Sequence, residues 1–499
     1  MKIRVNEMIR LRDELNGRDA SVVVPNPADN GDEARYADKR GTYTKGLLHQ
    51  PSGPNMGLVN LSSYSTFKTA LLSQQAGDFE RITIGNPASR LNGPQGGIAY
   101  CLSGLDSSQF SVSPAPALAS KEYAVEMIEL YWASLLWTVP FATYTPATVG
   151  AAVTELNAHL PFYKGPLGVG NVVTPQVLFR GPFVGETNGP YVSQLLLMPA
   201  DFGALRVNQV YSTLPPKGAG QPPMQYMTAP ATYLAAQDGV VPPFPAAGPM
   251  SAIQNGAGLA AYTHSDVLYQ AHLIAHQALA TSGHPGNPGN PYALYVKQKA
   301  FATLGGPDAA ALIGYVAGEA LKAVWWQKWF VHLRHRPEAG GLLVHLQKTA
   351  AFDPTTPDPI VAASTAVAQS ATANGGSFFL PQAFPEGSPT HPAYPTGHGT
   401  VAGACITVLK FLWDGNANVP LPAAPNLSLN GELHKLASNI SFGHGIFAGI
   451  HWRSDTVESI KLGEKVALAI LQDRVQTYNE PLSVTIKLLD GTPYSITNT

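Results

Sequence analysis

The hydrophobic and polar positions of this chain repeat mostly with helical spacing. In residues 121–137, KEYAVEMIELYWASLLW, apolar residues recur at steps of three and four, which predicts a helix with a buried face. The same spacing predicts helices over 265–280, 309–331 and 456–477. A further helix is expected to begin at about Thr396 and to continue through GHGTVAGACITVLKFLW.

The segments between these helices are rich in glycine and proline, of which the chain has 48 and 43. Residues 165–249 predict a long irregular excursion, and 282–293 predict a turn-rich link, because proline interrupts a helix. The tail 482–497 alternates around Asp490-Gly491, which indicates a β-hairpin. We therefore predict a mainly α fold, with helical bundles wrapped by long Pro/Gly-rich loops and a small C-terminal β-hairpin.

No shift in composition marks a domain boundary, so we expect one large helical domain over residues 1–499. Within it, 1–255 is expected to be a loop-rich N-terminal part and 256–499 a helical-bundle part that holds the chemistry. The opening MKIRVNEMIRLRDELNGRD predicts an exposed amphipathic helix and has no apolar signal region, which favours a cytoplasmic location. Cys101 and Cys405 are then expected to be free, buried thiols.

Charged residues make up only 13% of the chain, against about 25% in an average soluble protein. This low fraction favours a compact body and surface buried in a homo-oligomer. The net charge of −2 gives no basic field for nucleic acid. No apolar stretch reaches the ~18 residues of a membrane span, so we expect neither a nucleic-acid nor a membrane partner.

A first cluster of candidate residues lies at KWFVHLRHR, 328–336, where five cationic or potentially cationic side chains alternate with apolar ones. On one helix, Lys328 and Arg336 would be two turns apart and roughly 80° around the axis, close enough to share a pocket. Pro337 is expected to end that helix. A guanidinium can bind an oxyanion through two hydrogen bonds. The alternative is a basic helix end stabilised by the helix macrodipole, which would show the same sequence pattern.

The second cluster is HPAYPTGHGT, 391–400, a turn that leads into a helix. Thr396 is a suitable N-cap, and Gly397 allows a ligand close to the backbone. The free N–H groups of a helix N-terminus attract anions, and His398 at that position could act as a general acid or base. An ordinary capped helix with a surface histidine is the alternative.

The third cluster is GHGIFAGIHWRSD, 443–455. His451 and Asp455 are four residues apart, so they could face each other on a helix. A carboxylate that holds one ring nitrogen fixes the tautomer of a histidine and prepares it as a nucleophile or metal ligand. A purely structural His–Asp pair is the alternative.

Taken in this order, the three clusters resemble the signature of vanadium-dependent haloperoxidases and the related acid phosphatases. That pattern is a lysine, an Arg-Pro, a small hydroxyl residue before Gly-His, a second arginine, and a histidine followed four residues later by aspartate. The resemblance covers about the last 180 residues. The run KWFVHLRHRPEA, the position of His391 five residues before Thr396, and Trp325 three before Lys328 resemble the algal bromoperoxidase branch.

The resemblance implies a vanadium-dependent bromide peroxidase. Such an enzyme oxidises halide, and in this branch bromide, with hydrogen peroxide, and the hypohalous acid formed halogenates small organic acceptors. The cofactor would be vanadate, and phosphate can occupy the same pocket. The resemblance assigns the binding of the oxyanion to Lys328, Arg336, Thr396, Gly397, His398 and His451.

Individual roles follow from the same resemblance. His451 would bond vanadium, with Asp455 behind it, and His398 would take protons from hydrogen peroxide. Lys328 would polarise the peroxide, and His391 would act with it in catalysis by tuning the surroundings of the halide. The residues expected around these groups are Asp455, Trp325, His444 and Arg453.

The chain departs from the family pattern at two positions. Thr396 replaces the usual serine and keeps the hydroxyl. Gly445 stands six residues before His451, where the second arginine is expected, and losing one charge-assisted hydrogen bond costs about 1.5–3 kcal/mol of binding. Either His444, Arg453 or a residue from another segment replaces it, or the anion affinity is weaker or the activity is lost.

Two other functions stay open at this point. In an acid phosphatase-like phosphomonoester hydrolase, His451 would be the nucleophile and His398 would protonate the leaving group. A non-catalytic oxyanion-binding homologue is the other alternative, and Gly445 is the feature that favours it.

Overall fold

The computed structural model describes residues 27–349, 353–419 and 427–498. Helices dominate, as predicted, and fourteen α-helices lie within these residues. In chain order they are α1 (Asp32–Arg35), α2 (Leu61–Ser73), α3 (Ala76–Phe79), α4 (Lys121–Leu136), α5 (Pro146–Ala158), α6 (Pro230–Gln237), α7 (Gly256–Tyr262), α8 (Gln270–Thr281), α9 (Gly306–Trp326), α10 (Pro337–Lys348), α11 (Thr365–Ala373), α12 (Gly397–Leu412), α13 (Leu429–Phe442) and α14 (Arg453–Val475).

Three small antiparallel sheets also lie within the described residues. Their strand pairs are β1 (Ala200–Phe202) with β2 (Leu205–Val207), β3 (Tyr211–Ser212) with β4 (Met250–Ser251), and β5 (Ser483–Lys487) with β6 (Pro493–Thr497). The last pair is the predicted C-terminal hairpin, and its turn contains Gly491 at a φ of 87°. The predicted excursion over 165–249 is also confirmed, since it contains only short elements.

The helix α12 lies at the centre of the main bundle. Nearly every one of its residues is buried, which fits a helix that is apolar on all sides. It packs against α14, α9 and α13. Gly403 of α12 and Gly463 of α14 face each other where these helices cross, because a β-carbon on either would overlap the backbone of the other. The two helices are also in contact where they begin. There the Thr396 N–H donates to the Asp455 carbonyl over 3.1 Å.

The N-terminal part of the chain covers the segment that contains the first cluster. A second, smaller hydrophobic core joins Tyr43 and Phe67 to Trp329 and Leu333. The main core meanwhile contains residues from both sides of position 255.

The predicted helix at the very start of the chain lies outside the described residues. Cys101 and Cys405 are free and buried, as predicted.

The prediction that one helix carries both Lys328 and Arg336 is wrong. The helix α9 ends at Trp326, a π-helical turn follows, and the chain reverses at Leu333, whose φ is 47°. The reversal is fixed by tertiary contact, because the Leu333 carbonyl accepts the N–H of Tyr43 at 2.7 Å. Pro337 starts the next helix, α10, instead of ending the previous one.

Two other helix boundaries differ from the prediction. The helix predicted over 265–280 begins only at Gln270, and the residues before it form a loop that contains Asp266. The helix predicted over 456–477 begins earlier, at Arg453. No helix in the part of the chain that the structure describes is both long and apolar enough to cross a membrane.

Candidate functional site

Lys328 is one of two buried cations in the region where the three sequence clusters meet, which we call the pocket. It lies in the π-helical turn Gln327–His332, and its side chain is excluded from solvent. Its Nζ donates to the carbonyls of Pro392 (2.8 Å) and Ala393 (2.9 Å), in the segment that leads to α12. These two bonds hold the ammonium group beside the start of α12.

Arg336 is the second cation, and it occupies the N-cap position of α10. Its Nε donates to the His391 carbonyl (2.9 Å), and one terminal nitrogen donates to the Ile450 carbonyl (2.9 Å). The same terminal nitrogen lies 2.7 Å from Nε2 of His451. Arg336 therefore joins the second and third sequence clusters, although it does not share a helix with Lys328.

Neither cation forms an ion pair with a carboxylate of the described residues. Burial lowers the pKa of Arg336 to about 10. Burial, together with the positive charge of Arg336, lowers the pKa of Lys328 well below its ordinary value. Isolated charges in a protein interior cost several kcal/mol each, so this arrangement would be stabilised by an anion between them.

The N-terminus of α12 supplies neutral donors to the same pocket. Thr396 is its N-cap, as predicted, but its side chain does not cap the helix. The Thr396 hydroxyl is buried and has no hydrogen-bond partner within the described chain. A hydroxyl in this position could donate to an oxyanion beside the helix N-terminus. The N–H groups of Gly397 and His398 belong to the first turn, where a helix favours an anion.

His451 and Asp455 form the predicted pair, but not along a helix. His451 precedes α14, and Asp455, in the first turn, folds back over the helix N-terminus. Its Oδ2 accepts from Nδ1 of His451 (2.9 Å) and from the backbone N–H of Trp452 (3.1 Å). Nδ1 of His451 therefore carries the proton, and the Nε2 lone pair of the neutral ring accepts from the Arg336 guanidinium over 2.7 Å. Burial, Arg336 and Lys328 lower the pKa of His451 well below its ordinary value, which keeps the ring neutral.

Behind this pair lies an ion-pair network that sequence reasoning missed. Arg334 donates to Oδ1 of Asp455 at 2.6 Å and to Glu126 of α4 at 3.0 Å, and all three groups are buried. The network fixes the position of the Asp455 carboxylate beside His451. The only available sequence signal was the position of Arg334 two residues before Arg336.

His398 has a carboxylate partner that was also missed. Its Nε2 lies 2.7 Å from Oδ1 of Asp266, which comes from the loop before α8. Since a carboxylate accepts, Nε2 of His398 carries a proton, and Nδ1 is the nitrogen left for chemistry. Asp266 is 132 positions away in sequence, so no local pattern could have indicated it.

His391 and Trp325 lie together beside the two cations. Their ring centroids are 4.8 Å apart, and the Lys328 ammonium is 6.0 Å from the Trp325 ring. Nδ1 of His391 lies 3.0 Å from a terminal nitrogen of Arg336. The same nitrogen lies 3.2 Å from the carbonyl oxygen of Pro392, so a donor and an acceptor compete for it. Burial, Arg336 and Lys328 lower the pKa of His391 well below its ordinary value.

Position 445 has no room for the arginine that the family pattern expects. A β-carbon at Gly445 would lie 2.8 Å from Cγ2 of Thr456 and 3.1 Å from Cβ of His451. Arg453 does not fill the gap either, because its Nε is bound to Glu129 at 2.7 Å. The structure thus brings the predicted anion-binding residues together and places Arg453 in a separate ion pair.

His444 is the predicted candidate that does reach the pocket. It belongs to the second π-helical turn, Gly443–Phe447, and its ring stacks on that of His398 with centroids 3.6 Å apart. Its centroid is 5.8 Å from that of His451. His444 therefore brings an imidazole, and not a guanidinium, next to the position expected for the second arginine.

This arrangement is suited to a tetrahedral oxyanion and not to a bare metal ion. The described residues contain no cluster of three or more His, Cys, Asp or Glu side chains that could hold a metal. The pocket instead offers two buried cations, one orphaned hydroxyl, helix N–H groups and one histidine lone pair. Such donors neutralise negative oxygens and leave one position for a bond from nitrogen.

Comparisons with known proteins point to the same chemistry. The chain matches no protein-family model. It is 29% identical to the vanadium-dependent bromoperoxidase of Corallina officinalis, over 96% of this chain and 94% of that protein. It is 30% identical to the vanadium-dependent bromoperoxidase of Ascophyllum nodosum, over 91% of this chain and 86% of that protein.

A solved structure is also similar over almost the full length. It is the homohexameric second vanadate-dependent bromoperoxidase of Ascophyllum nodosum, which superimposes with a TM-score of 0.89 at 28% identity. The match covers 99% of this chain and 90% of the other. Identity of 30% over most of both sequences, together with this common fold, shows the family. The chain belongs to the vanadium-dependent bromoperoxidases.

Proposed function

We propose that the chain is a vanadate-dependent haloperoxidase that oxidises bromide with hydrogen peroxide, and that the hypobromous acid formed halogenates small organic acceptors. The observation that carries this proposal is the pair of buried cations, Lys328 and Arg336, that no carboxylate of the described chain neutralises. The vanadium dependence of the similar bromoperoxidases supports vanadate as the anion.

The residues of the pocket fit vanadate. Nε2 of His451 has the lone pair that would bond the metal, and Asp455 holds the ring in the required tautomer. Lys328, Arg336 and the orphaned hydroxyl of Thr396 would neutralise the oxygens. The same donors would accept inorganic phosphate, so phosphate is expected to compete for the pocket.

Vanadate, when bound, supplies a Lewis acid that activates hydrogen peroxide without changing its own redox state. His398 is the group that would take a proton from the peroxide, through Nδ1, while Asp266 stabilises the charge that the ring gains. Lys328 would draw electron density from the peroxide and so favour attack by bromide. His391 and Trp325 would exclude water from the approach of the halide.

A bromination assay tests this function. The purified protein is incubated with increasing vanadate and supplied with peroxide, bromide and a phenol-type dye. We expect dye bromination that needs bromide and saturates with vanadate. Absence of turnover over the whole vanadate range would overturn the proposal. Hydrolysis of an aryl phosphate by the vanadate-free protein would instead indicate the phosphatase alternative.

We also propose that the chain assembles into a homo-oligomer. The low charge fraction supports this, and so does an exposed apolar segment in which Leu294, Val296 and Phe301 are 81%, 90% and 72% exposed. The similar structure from Ascophyllum nodosum is a homohexamer. Mass photometry would show multiples of 52.8 kDa if the proposal holds, and the monomer mass alone would contradict it.

A further inference from the structure

The hydrogen bonding of His444 determines what its ring can offer a ligand. Nδ1 lies 3.1 Å from the carbonyl oxygen of Thr263. A carbonyl can only accept, so Nδ1 carries the proton, and Nε2 of the neutral ring carries a lone pair. Nε2 has no hydrogen-bond partner among the residues that the structure describes. His444 thus brings an acceptor into the pocket, with its ring stacked on His398.

The cations near His444 do not change this conclusion. Arg453 is held by Glu129, and Arg334 is held by Asp455 and Glu126. Lys328 and Arg336 are therefore the charged donors that remain for an anion in the described pocket. Burial, with His398, His451 and Arg336 nearby, lowers the pKa of His444 well below its ordinary value, in agreement with a neutral ring.

We propose that Nε2 of His444 accepts a hydrogen bond from the bound oxyanion, so that the pocket selects an oxyanion that carries a proton. This inference rests on the oxyanion pocket of the proposed function and deepens it. Vanadate and phosphate both carry O–H groups near neutral pH, whereas sulfate carries none. A sulfate oxygen opposite Nε2 would place two lone pairs against each other in a buried site, which leaves both groups unsatisfied.

The experiment compares inorganic phosphate with inorganic sulfate by isothermal titration calorimetry at pH 7, on the vanadate-free full-length protein. We expect the wild type to prefer phosphate. Exchange of the ring for phenylalanine, His444→Phe, keeps a ring to stack on His398 and removes the acceptor. It should weaken phosphate binding about tenfold and leave sulfate binding unchanged or improved, so the selectivity falls about tenfold.

Two further variants separate this role from a structural one. His444→Gln retains an amide oxygen that can accept, so it should keep part of the selectivity. His434→Phe is the matched control, because His434 is also buried and its Nδ1 is bonded to the Val184 carbonyl at 2.8 Å. It lies outside the pocket and should leave both affinities as in the wild type.

The possible outcomes are distinct. Equal weakening of phosphate and sulfate in His444→Phe would show a merely structural role and overturn the inference. Unchanged phosphate affinity would overturn it as well. If the wild type brominates while selectivity does not depend on His444, the inference fails and the proposed function stands. A wild type that binds neither anion and shows no bromination would count against both.

Discussion

The carboxylate of Asp455 sets the tautomer of His451, and Asp455→Asn tests how much the site depends on it. In the structure Oδ2 accepts from Nδ1 of His451 and from the Trp452 N–H, while Oδ1 accepts from Arg334. An asparagine has only one oxygen for these three donors. If that oxygen faces His451, the amide NH2 faces the Arg334 guanidinium, donor against donor.

The opposite orientation of the amide is no better. Its NH2 would then face Nδ1 of His451, which could keep a hydrogen bond only by moving its proton to Nε2. Nε2 would then carry a proton and would have no lone pair to bond the metal. Changing the partner of a ligating histidine typically costs about 10- to 100-fold in metal affinity, which is roughly 1.4–2.7 kcal/mol. We therefore expect Asp455→Asn to raise the vanadate concentration at half-maximal bromination by about this factor.

The assay is a vanadate titration of bromination rate, with urea unfolding of the same samples to measure stability. Removing one member of a buried ion pair costs about 3–5 kcal/mol, so a lower free energy of unfolding is also expected. Glu458→Gln is the control, because Glu458 pairs with Lys461 on an exposed part of α14. A vanadate affinity within about twofold of the wild type in the folded Asp455→Asn protein would refute the reasoning, since that is far below the loss that such a partner normally causes.

Three further changes have defined outcomes. Thr396→Val removes the orphaned hydroxyl and should weaken vanadate binding about tenfold in the same titration, whereas Thr396→Ser should retain it. Asp266→Asn removes the charge beside His398, so kcat should fall about a hundredfold while vanadate affinity changes little. His276 accepts a hydrogen bond from Trp413, and burial lowers its pKa to about 4, below the unfolded value of 6.5. Its contribution to stability is complete above pH 6.5 and is lost as the pH falls towards 4, so His276→Gln should lose about 2 kcal/mol less than the wild type between pH 7.5 and pH 5 in urea unfolding.

Each of these expectations has an opposite result. Equal vanadate affinity of the Thr396→Val and Thr396→Ser proteins would show that the hydroxyl does not meet the anion. A kcat for Asp266→Asn equal to that of the wild type would exclude Asp266 as a partner of the base. Parallel pH–stability curves for the wild type and His276→Gln would show that this ring is not an acid-sensitive group.

The sequence predicted the elements whose cause is local. The apolar spacing of 121–137 correctly predicted α4, and the Thr396-Gly397 turn correctly predicted the start of α12. Alternation around Asp490-Gly491 gave the C-terminal hairpin. The order of the three clusters, through the family resemblance, predicted that residues of these segments lie together, and the contacts among Lys328, Arg336 and His451 agree with this.

The remaining features depend on contacts between distant segments. Leu333 adopts a left-handed conformation because the N-terminal segment bonds to its carbonyl, and nothing in the local sequence indicates this. Asp266 and Glu126 reach the site from other elements, so their spacing carries no signal. The lack of room for an arginine at position 445 likewise follows from the packing of Thr456 against Gly445, which the local sequence does not indicate.

The most direct test of the central claim compares the wild type with His451→Ala in bromide oxidation, each titrated with vanadate at fixed peroxide and bromide. Circular dichroism of both proteins confirms that the variant is folded. The account predicts vanadate-saturable bromination by the wild type and none by His451→Ala, because the variant lacks the lone pair that would bond the metal. Equal bromination by the two folded proteins, or none by the wild type at any vanadate concentration, would contradict it.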